Sequence, residues 1–129
     1  MDEDAIIRYI TDTFDGVDIV VASDDSYFVY DPGRRLDPAR RMPFATIVTG
    51  DRHDDVSDLD RPAVFRLNVG VGRETFRSLF GPQTSPTDAG GAGVVERGPD
   101  FAALDRIMPH PVYGRMFWVC VLNPSAATF

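Results

Sequence analysis

The residues best suited to chemistry are gathered near the end of the chain. His110 stands between two prolines, and Tyr113, Arg115 and Trp118 follow within a few positions. The prolines fix the backbone and thereby aim the imidazole, whose ordinary pKa lies near neutrality. We interpret these four residues as the border of one ligand-binding pocket. Within it, His110 is the candidate catalytic group, although a histidine in a turn more commonly bonds only to backbone.

Cys120 is the only cysteine, which excludes an intrachain disulfide and a multi-cysteine metal site. Its strand is apolar on both faces, a pattern that predicts an interior strand covered on both sides. Cys120 is then a buried, small apolar residue with a raised pKa. A nucleophilic pair with His110 is the less favoured alternative.

Residues 51–60 carry several aspartates and His53, which are ligand types for a cation. The spacing does not fit an EF-hand, because Val56 stands where a glycine is required and Pro62 where the closing glutamate belongs. One histidine with scattered carboxylates also does not make a facial triad. We therefore predict no metal site, and no motif predicts a cofactor.

Arg34, Arg35, Arg40 and Arg41 form a basic cluster. Guanidinium groups match phosphate oxygens, so the cluster is a candidate site for anions or nucleic acid. However, no aromatic residues are interleaved to stack on bases, and the net charge of −7 repels polyanions. We predict a solvated loop that pairs with the acidic residues 51–60, and we regard nucleic-acid binding as unlikely.

The composition excludes several function classes. All 13 basic residues are arginines, so no lysine can form a Schiff base, anchor pyridoxal phosphate or serve a phosphate-binding loop. The start of the chain is acidic and lacks the features of a signal peptide. No apolar run approaches the ~20 residues needed to span a bilayer. We predict a soluble, cytoplasmic protein with no membrane partner.

Hydrophobic periodicity predicts the elements that must position these residues. The predicted helices cover residues 4–14, 74–80 and 101–108, and the predicted strands cover residues 17–22, 27–30, 44–49, 64–69 and 116–123. Asp100 is the expected cap of the last helix. In the fourth strand Val64, Arg66 and Asn68 share one face, which predicts a solvated face. Tight connections between strands predict an α+β fold, with an antiparallel sheet of about five strands and helices packed on one face.

A single domain is predicted over residues 1–129. Residues 81–99, rich in glycine and proline, are predicted to be a flexible loop, because the roughly 30 residues after them are too few for a second domain. Residues 124–129 are typical of the opening of a helix, which predicts a further helix beyond the last residue given.

Several segments together resemble a family of small bacterial proteins whose domain has no known function. They are residues 43–48, 65–76, 104–114 and 118–124. More distantly, the layout resembles the MmcQ/YjbR-like proteins, which have an N-terminal helix, a β-meander and a late Tyr…Trp strand, and some of which have been proposed to bind DNA. That family tends to place His, Asn and Lys between the Tyr and the Trp, whereas only residues 114–117 separate Tyr113 from Trp118 here. The resemblance therefore implies the fold and not the activity.

The sequence leads to a ranked set of functional hypotheses. The first is a non-catalytic module that binds a small molecule or a protein at the surface from His110 to Trp118. The second is a small enzyme in which His110 is the general acid or base and Arg115 or Arg66 holds an oxyanion. The third is nucleic-acid binding through residues 34–41. The sequence leaves the ligand and the oligomeric state undetermined.

Overall fold

The computed structural model of the chain describes residues 1–34, 37, 42–81 and 100–129. Two α-helices, α1 (Glu3–Thr13) and α2 (Arg73–Phe80), accompany six strands. The strands are β1 (Val17–Ala22), β2 (Asp25–Tyr30), β3 (Pro43–Val48), β4 (Arg66–Gly70), β5 (Met108–Pro109) and β6 (Trp118–Leu122). The predicted α+β class is confirmed in this coarse sense.

Helix α1 forms where its sequence supplies both a cap and an apolar stripe. Asp2 is the N-cap, and its Oδ1 accepts a hydrogen bond of 2.8 Å from the N–H of Ala5. Glu3 and Asp4 place negative charge at the positive end of the helix dipole. Ile6 and Ile10, four positions apart, are buried against the sheet.

The sheet has the order β1-β2-β3-β4-β6-β5, and all neighbouring strands are antiparallel. The described residues thus form six strands rather than the predicted five. The additional strand is β5, only two residues long, which pairs with β6 through Met108 and Cys120. Strand β6 begins at Trp118, two residues later than predicted, because Phe117 adopts a left-handed conformation with φ of 64°.

One face of the sheet carries the main hydrophobic core, and α1 covers it. The strand residues in this core alternate along their strands and line up across them: Phe28, Ala45, Ile47, Leu67 and Val121. Helix α2 is anchored differently, since its buried Phe76 stacks edge-on against Phe117 at a centroid distance of 5.6 Å. Packing on this face is therefore shown for α1 alone.

The second face of the sheet is covered by loops. Leu59 of the loop 51–62 packs with Val48, Met108, Cys120 and Leu122 in a second cluster of buried residues. The prediction that Arg66 and Asn68 lie on a solvated face is wrong, because their exposed fractions are only 1% and 2%. The loop 51–62 shields this side, so the alternation in β4 separates an apolar buried face from a polar buried face.

The predicted helix over residues 101–108 is not formed. Leu104 instead makes a parallel bridge with Leu122, and the N–H of Asp105 donates to the carbonyl of Leu122 at 2.7 Å. Asp105 has a φ of 56°, which a right-handed helix cannot accommodate. Pairing with the sheet has overridden a short helical pattern whose intrinsic stability is marginal.

Residues 125–129 form one turn, closed by a bond of 2.9 Å from Phe129 N–H to the Ser125 carbonyl.

Two predictions fall on segments outside the described residues. They are the flexible loop over residues 81–99, of which only Gly81 is described, and most of the basic cluster. Within the described ranges, no helix is long and apolar enough to cross a membrane.

Candidate functional site

A cavity of about 370 Å³ lies on the second face of the sheet. Its strand residues are Tyr27, Pro43, Thr46, Val48, Arg66, Asn68 and Trp118, and its remaining residues are Met42, His53, Asp54, His110, Val112, Tyr113 and Met116. We call Thr46, Arg66 and Asn68 the polar floor. We call Met42, Val112, Tyr113 and Met116 the exposed rim, because each has more than half of its surface exposed to solvent.

The strand register brings the central polar floor together. Tyr27 pairs with Thr46, Thr46 pairs with Asn68, and Asn68 pairs with Cys120, so these side chains form one row across four strands. The Nδ2 of Asn68 donates to the hydroxyl of Thr46 at 2.9 Å. The Oδ1 of Asn68 is buried without a hydrogen-bond partner in the described structure. A buried acceptor left unpaired costs roughly 1–3 kcal/mol, so this atom calls for an explanation.

Arg66 is a charged residue held almost wholly out of water. Its Nη1 and Nη2 donate to the two carboxylate oxygens of Asp54 at 3.0 and 2.8 Å, and Nη1 also donates to Ser57 Oγ at 2.9 Å. This bidentate geometry is the strong form of the ion pair. Burial alone would raise the pKa of Asp54, but the hydrogen bonds and charge of Arg66 outweigh burial and lower it. The Nε of Arg66 is buried and has no partner in the described part of the chain.

His110 is fixed at the start of the connection between β5 and β6. Its N–H donates to the Trp118 carbonyl, and its Nδ1 accepts two backbone N–H bonds of 3.0 Å, from Val112 and Tyr113. Nδ1 is therefore an acceptor, and in the neutral ring the proton resides on Nε2. Burial, followed by the charge of Arg66, lowers the pKa of His110 to about 4. His110 is neutral at physiological pH.

Three of the four residues predicted to border one pocket line this cavity: His110, Tyr113 and Trp118. Arg115 is exposed in the short 3-10 helix Gly114–Met116 and is not among the lining residues. The tight turn after His110 places Tyr113 beside the imidazole, with ring centroids 5.1 Å apart.

The indole of Trp118 lies across β4 at Gly70. A Cβ built on Gly70 would lie 3.2 Å from Trp118 Cε2, closer than ordinary van der Waals contact. Glycine at this position therefore lets the aromatic wall of the cavity lie against the strand.

Cys120 is buried, and burial raises its pKa to about 12. The interpretation of this residue as a buried thiol with a raised pKa is confirmed. Its Sγ lies 3.7 Å from the Pro109 carbonyl, and it makes no hydrogen bond with His110. A thiolate nucleophile paired with His110 does not fit this arrangement.

Several side chains of the acidic loop bind the sheet, although most residues of the loop are exposed to solvent. Buried Asp25 accepts from Arg52 at 2.7 Å and pairs with His53 Nε2 at 2.9 Å, which ties the loop to β2. Asp51 Oδ1 accepts from the N–H of Leu59 at 2.8 Å, and Asp54 holds Arg66. In the described ranges, no three His, Cys, Asp or Glu side chains are close enough together to hold a metal ion.

Sequence reasoning missed most of the polar site. The sequence does not indicate Thr46 or Asp25, and it predicts solvent exposure for Asn68 and Arg66, the latter also being a possible oxyanion holder. One signal was available, namely two polar residues two positions apart within a β-branched strand. That signal is equally typical of a solvated face, and only the covering loop distinguishes the two.

The predicted nucleic-acid interface is not described by the structure. Arg35, Arg40 and Arg41 lie outside the described residues, as does the side chain of Arg34. The predicted pairing of this cluster with the acidic loop therefore stays a prediction.

The fold and the site define a small α+β protein with a polar-floored cavity between its sheet and its covering loops. A family of unknown function, DUF6194, has a model that matches residues 1–129, so the chain belongs to this family. No curated protein and no solved structure matches the chain significantly.

Proposed function

We propose that this protein is a non-catalytic binding module whose ligand is a small molecule held in the cavity beside His110, Tyr113 and Trp118. One observation carries the proposal: Arg66 and Asn68, both almost wholly buried, line the cavity, and each has a polar atom without a hydrogen-bond partner among the described residues. Buried polar groups in folded proteins are nearly always satisfied. A bound ligand that supplies a hydrogen-bond donor would satisfy the unpaired Oδ1 of Asn68.

The composition of the cavity also supports a binding site. Small-molecule sites are typically concave and mostly apolar, with a few fixed polar groups, and typically enclose ~300–1,000 Å³. The present cavity has that size and combines the polar floor with Trp118 and the exposed rim. The ion pair and the turn that hold Arg66 and His110 preorganise the site, which reduces the entropic cost of binding.

The enzyme hypothesis finds less support than binding. A hydrogen bond between His110 and a second titratable group would favour general acid–base catalysis, and the described residues give the ring no such bond. The His110 ring accepts hydrogen bonds at Nδ1 from two backbone N–H groups, and its lowered pKa keeps the ring neutral near pH 7. Arg115 lies outside the cavity lining, and Arg66 is already neutralised by Asp54.

Binding can be tested by titrating the isotope-labelled protein with phenol and with cyclohexanone, while backbone and indole N–H shifts are followed by NMR. We expect saturable shifts at Val112, Tyr113 and the Trp118 indole, and none along α1. Val112→Trp adds bulk at the mouth of the cavity and should weaken probe binding at least about fivefold, a change of ~1 kcal/mol.

Val21→Trp is the matched control, because Val21 is likewise exposed but lies on β1, away from the cavity lining. It should leave the titration unchanged. An absence of shifts with both probes, or shifts that persist undiminished in Val112→Trp, would contradict the proposal.

Several finer expectations stay predictions. They are the likeness to MmcQ/YjbR-like proteins, a bacterial origin and a cytoplasmic location. A protein partner in place of a small molecule also stays an alternative.

A further inference from the structure

We propose that the ligand of this cavity is uncharged and presents an amide-type group, with a carbonyl directed to His110 Nε2, an N–H directed to Asn68 Oδ1, and an apolar or aromatic body against Trp118. The inference rests on the proposed binding function and deepens it. It follows from three separate properties of the lining: its hydrogen-bonding polarity, its charge balance and its exposed apolar surface.

The hydrogen-bonding polarity of the histidine is fixed by the backbone. Since Nδ1 accepts from two backbone N–H groups, the neutral ring can only donate from Nε2. Nε2 makes no hydrogen bond in the described part of the protein. The ligand atom that meets it must therefore be an acceptor.

The polar floor requires a hydrogen-bond donor on the ligand rather than an acceptor. Asn68 uses its Nδ2 to donate to Thr46, so the group left unpaired is the acceptor Oδ1. A ligand that satisfies it must supply a donor. A donor and an acceptor on one small, flat, neutral group describe an amide, whether open or cyclic.

The charges of the described lining residues cancel. Asp54 and Arg66 neutralise one another in a bidentate pair, and His53 is directed to the buried carboxylate of Asp25. An anionic ligand would meet Asp54, and a cationic one would meet Arg66. In both cases a charge would leave water and lie beside a like charge, which is unfavourable.

The exposed rim indicates an apolar body. Met42, Val112, Tyr113 and Met116 gather at the same cavity and are each more than half exposed. Together with Trp118 they offer aromatic and thioether surface to a ring or short chain. Clustered apolar exposure of this kind is typical of a ligand-binding groove.

The test compares four probes of nearly equal shape by NMR titration. Benzamide is neutral and has both carbonyl and N–H, benzoate is its anionic isostere, benzamidinium its cationic isostere, and acetophenone keeps the carbonyl but lacks the N–H. We expect benzamide to bind at least about tenfold more tightly than benzoate or benzamidinium, and at least about threefold more tightly than acetophenone.

A double variant separates the donor requirement from general binding. Thr46→Val/Asn68→Leu removes the acceptor but keeps the volume of the floor, and should reduce the advantage of benzamide over acetophenone to less than about twofold. Val21→Ser, on the edge strand, is the control and should keep that advantage.

The possible failures are distinguishable. If benzoate or benzamidinium binds as tightly as benzamide, or if acetophenone binds equally well, the ligand class is wrong while the binding function stands. If none of the four probes shifts the resonances of Val112, Tyr113 or Trp118, the binding function fails as well.

Discussion

At the scale of single residues, His110 shows how position rather than residue type sets chemistry. His110 is 6% exposed, its ring accepts two backbone N–H bonds, and the charge of Arg66 acts on the ring. Each of these factors favours the neutral ring. The neutral His110 is therefore a hydrogen-bond donor at Nε2, and its ring does not take up a proton near neutral pH as an ordinary histidine would.

This neutral state makes folding stability depend on pH. The pKa of His110 is about 4 in the folded protein, below the ordinary value of 6.5, so the unfolded chain binds the proton first. The free energy of unfolding should be fully retained above pH 6.5 and should fall as the pH drops to about 4, by on the order of 2 kcal/mol after allowance for partial solvent access. Below pH 4 this contribution no longer changes.

Urea denaturation at several pH values checks this prediction. His110→Gln keeps a terminal N–H donor but cannot titrate in this range, so most of the change in the free energy of unfolding between pH 6.5 and 4 should disappear. His53→Gln leaves His110 in place and should retain this pH dependence. An equal slope in the His110 variant and the wild-type protein would show that another group is responsible.

At the scale of elements, the antiparallel register of β3 and β4 creates the polar floor. Thr46 faces Asn68 across the pair, and Asp54 and Ser57 of the loop 51–62 bind the neighbouring Arg66. The buried Oδ1 of Asn68, which has no hydrogen-bond partner among the described residues, lowers the stability of the fold. Removing both polar partners should relieve that cost.

We therefore predict that Thr46→Val/Asn68→Leu is at least as stable as the wild-type protein and gains up to about 1–2 kcal/mol. The single variant Asn68→Leu leaves the Thr46 hydroxyl without its partner and should be less stable than the double variant by ~1 kcal/mol. Chemical denaturation with an unchanged m-value measures both differences. A double variant less stable than wild type by more than ~1 kcal/mol would indicate that the floor is satisfied in some other way.

At the scale of the whole molecule, the two faces of the sheet have different covers. Helix α1 seals one face, while the loop 51–62 and the segment after residue 100 seal part of the other. Two sets of ion pairs, Asp25 with Arg52 and His53, and Asp54 with Arg66, fasten the loop to the sheet. Cys120 lies beneath this cover, within β6.

Thiol labelling of Cys120 should therefore report unfolding of the molecule. At pH 8, a chromogenic disulfide reagent should react at least about a thousandfold more slowly with the native protein than with the urea-unfolded chain, because reaction requires an opened state. The rate should rise with urea in step with the unfolded fraction. Rapid labelling that is independent of urea would show that Cys120 is reachable in the native state.

Several elements were predictable because their signals are local. Helix α1 has its cap and its isoleucine spacing within a dozen residues, and the hairpin of β1 and β2 has its turn residues beside its strands. The helix predicted over residues 101–108 failed because its pattern is short and a partner strand lay elsewhere in the sequence. Membership of a family of unknown function identifies no functional residue.

The sequence by itself determined the α+β class and the burial of Cys120, since alternation and helical spacing act over neighbouring residues. Only the tertiary structure decided that Arg66 and Asn68 face a cavity rather than water. The same structure set the hydrogen-bonding polarity of His110 and left Arg115 outside the cavity lining. Those outcomes depend on strand register and on a loop that folds back over the sheet. Such contacts join residues that are distant in sequence, so they produce no periodic pattern in the sequence.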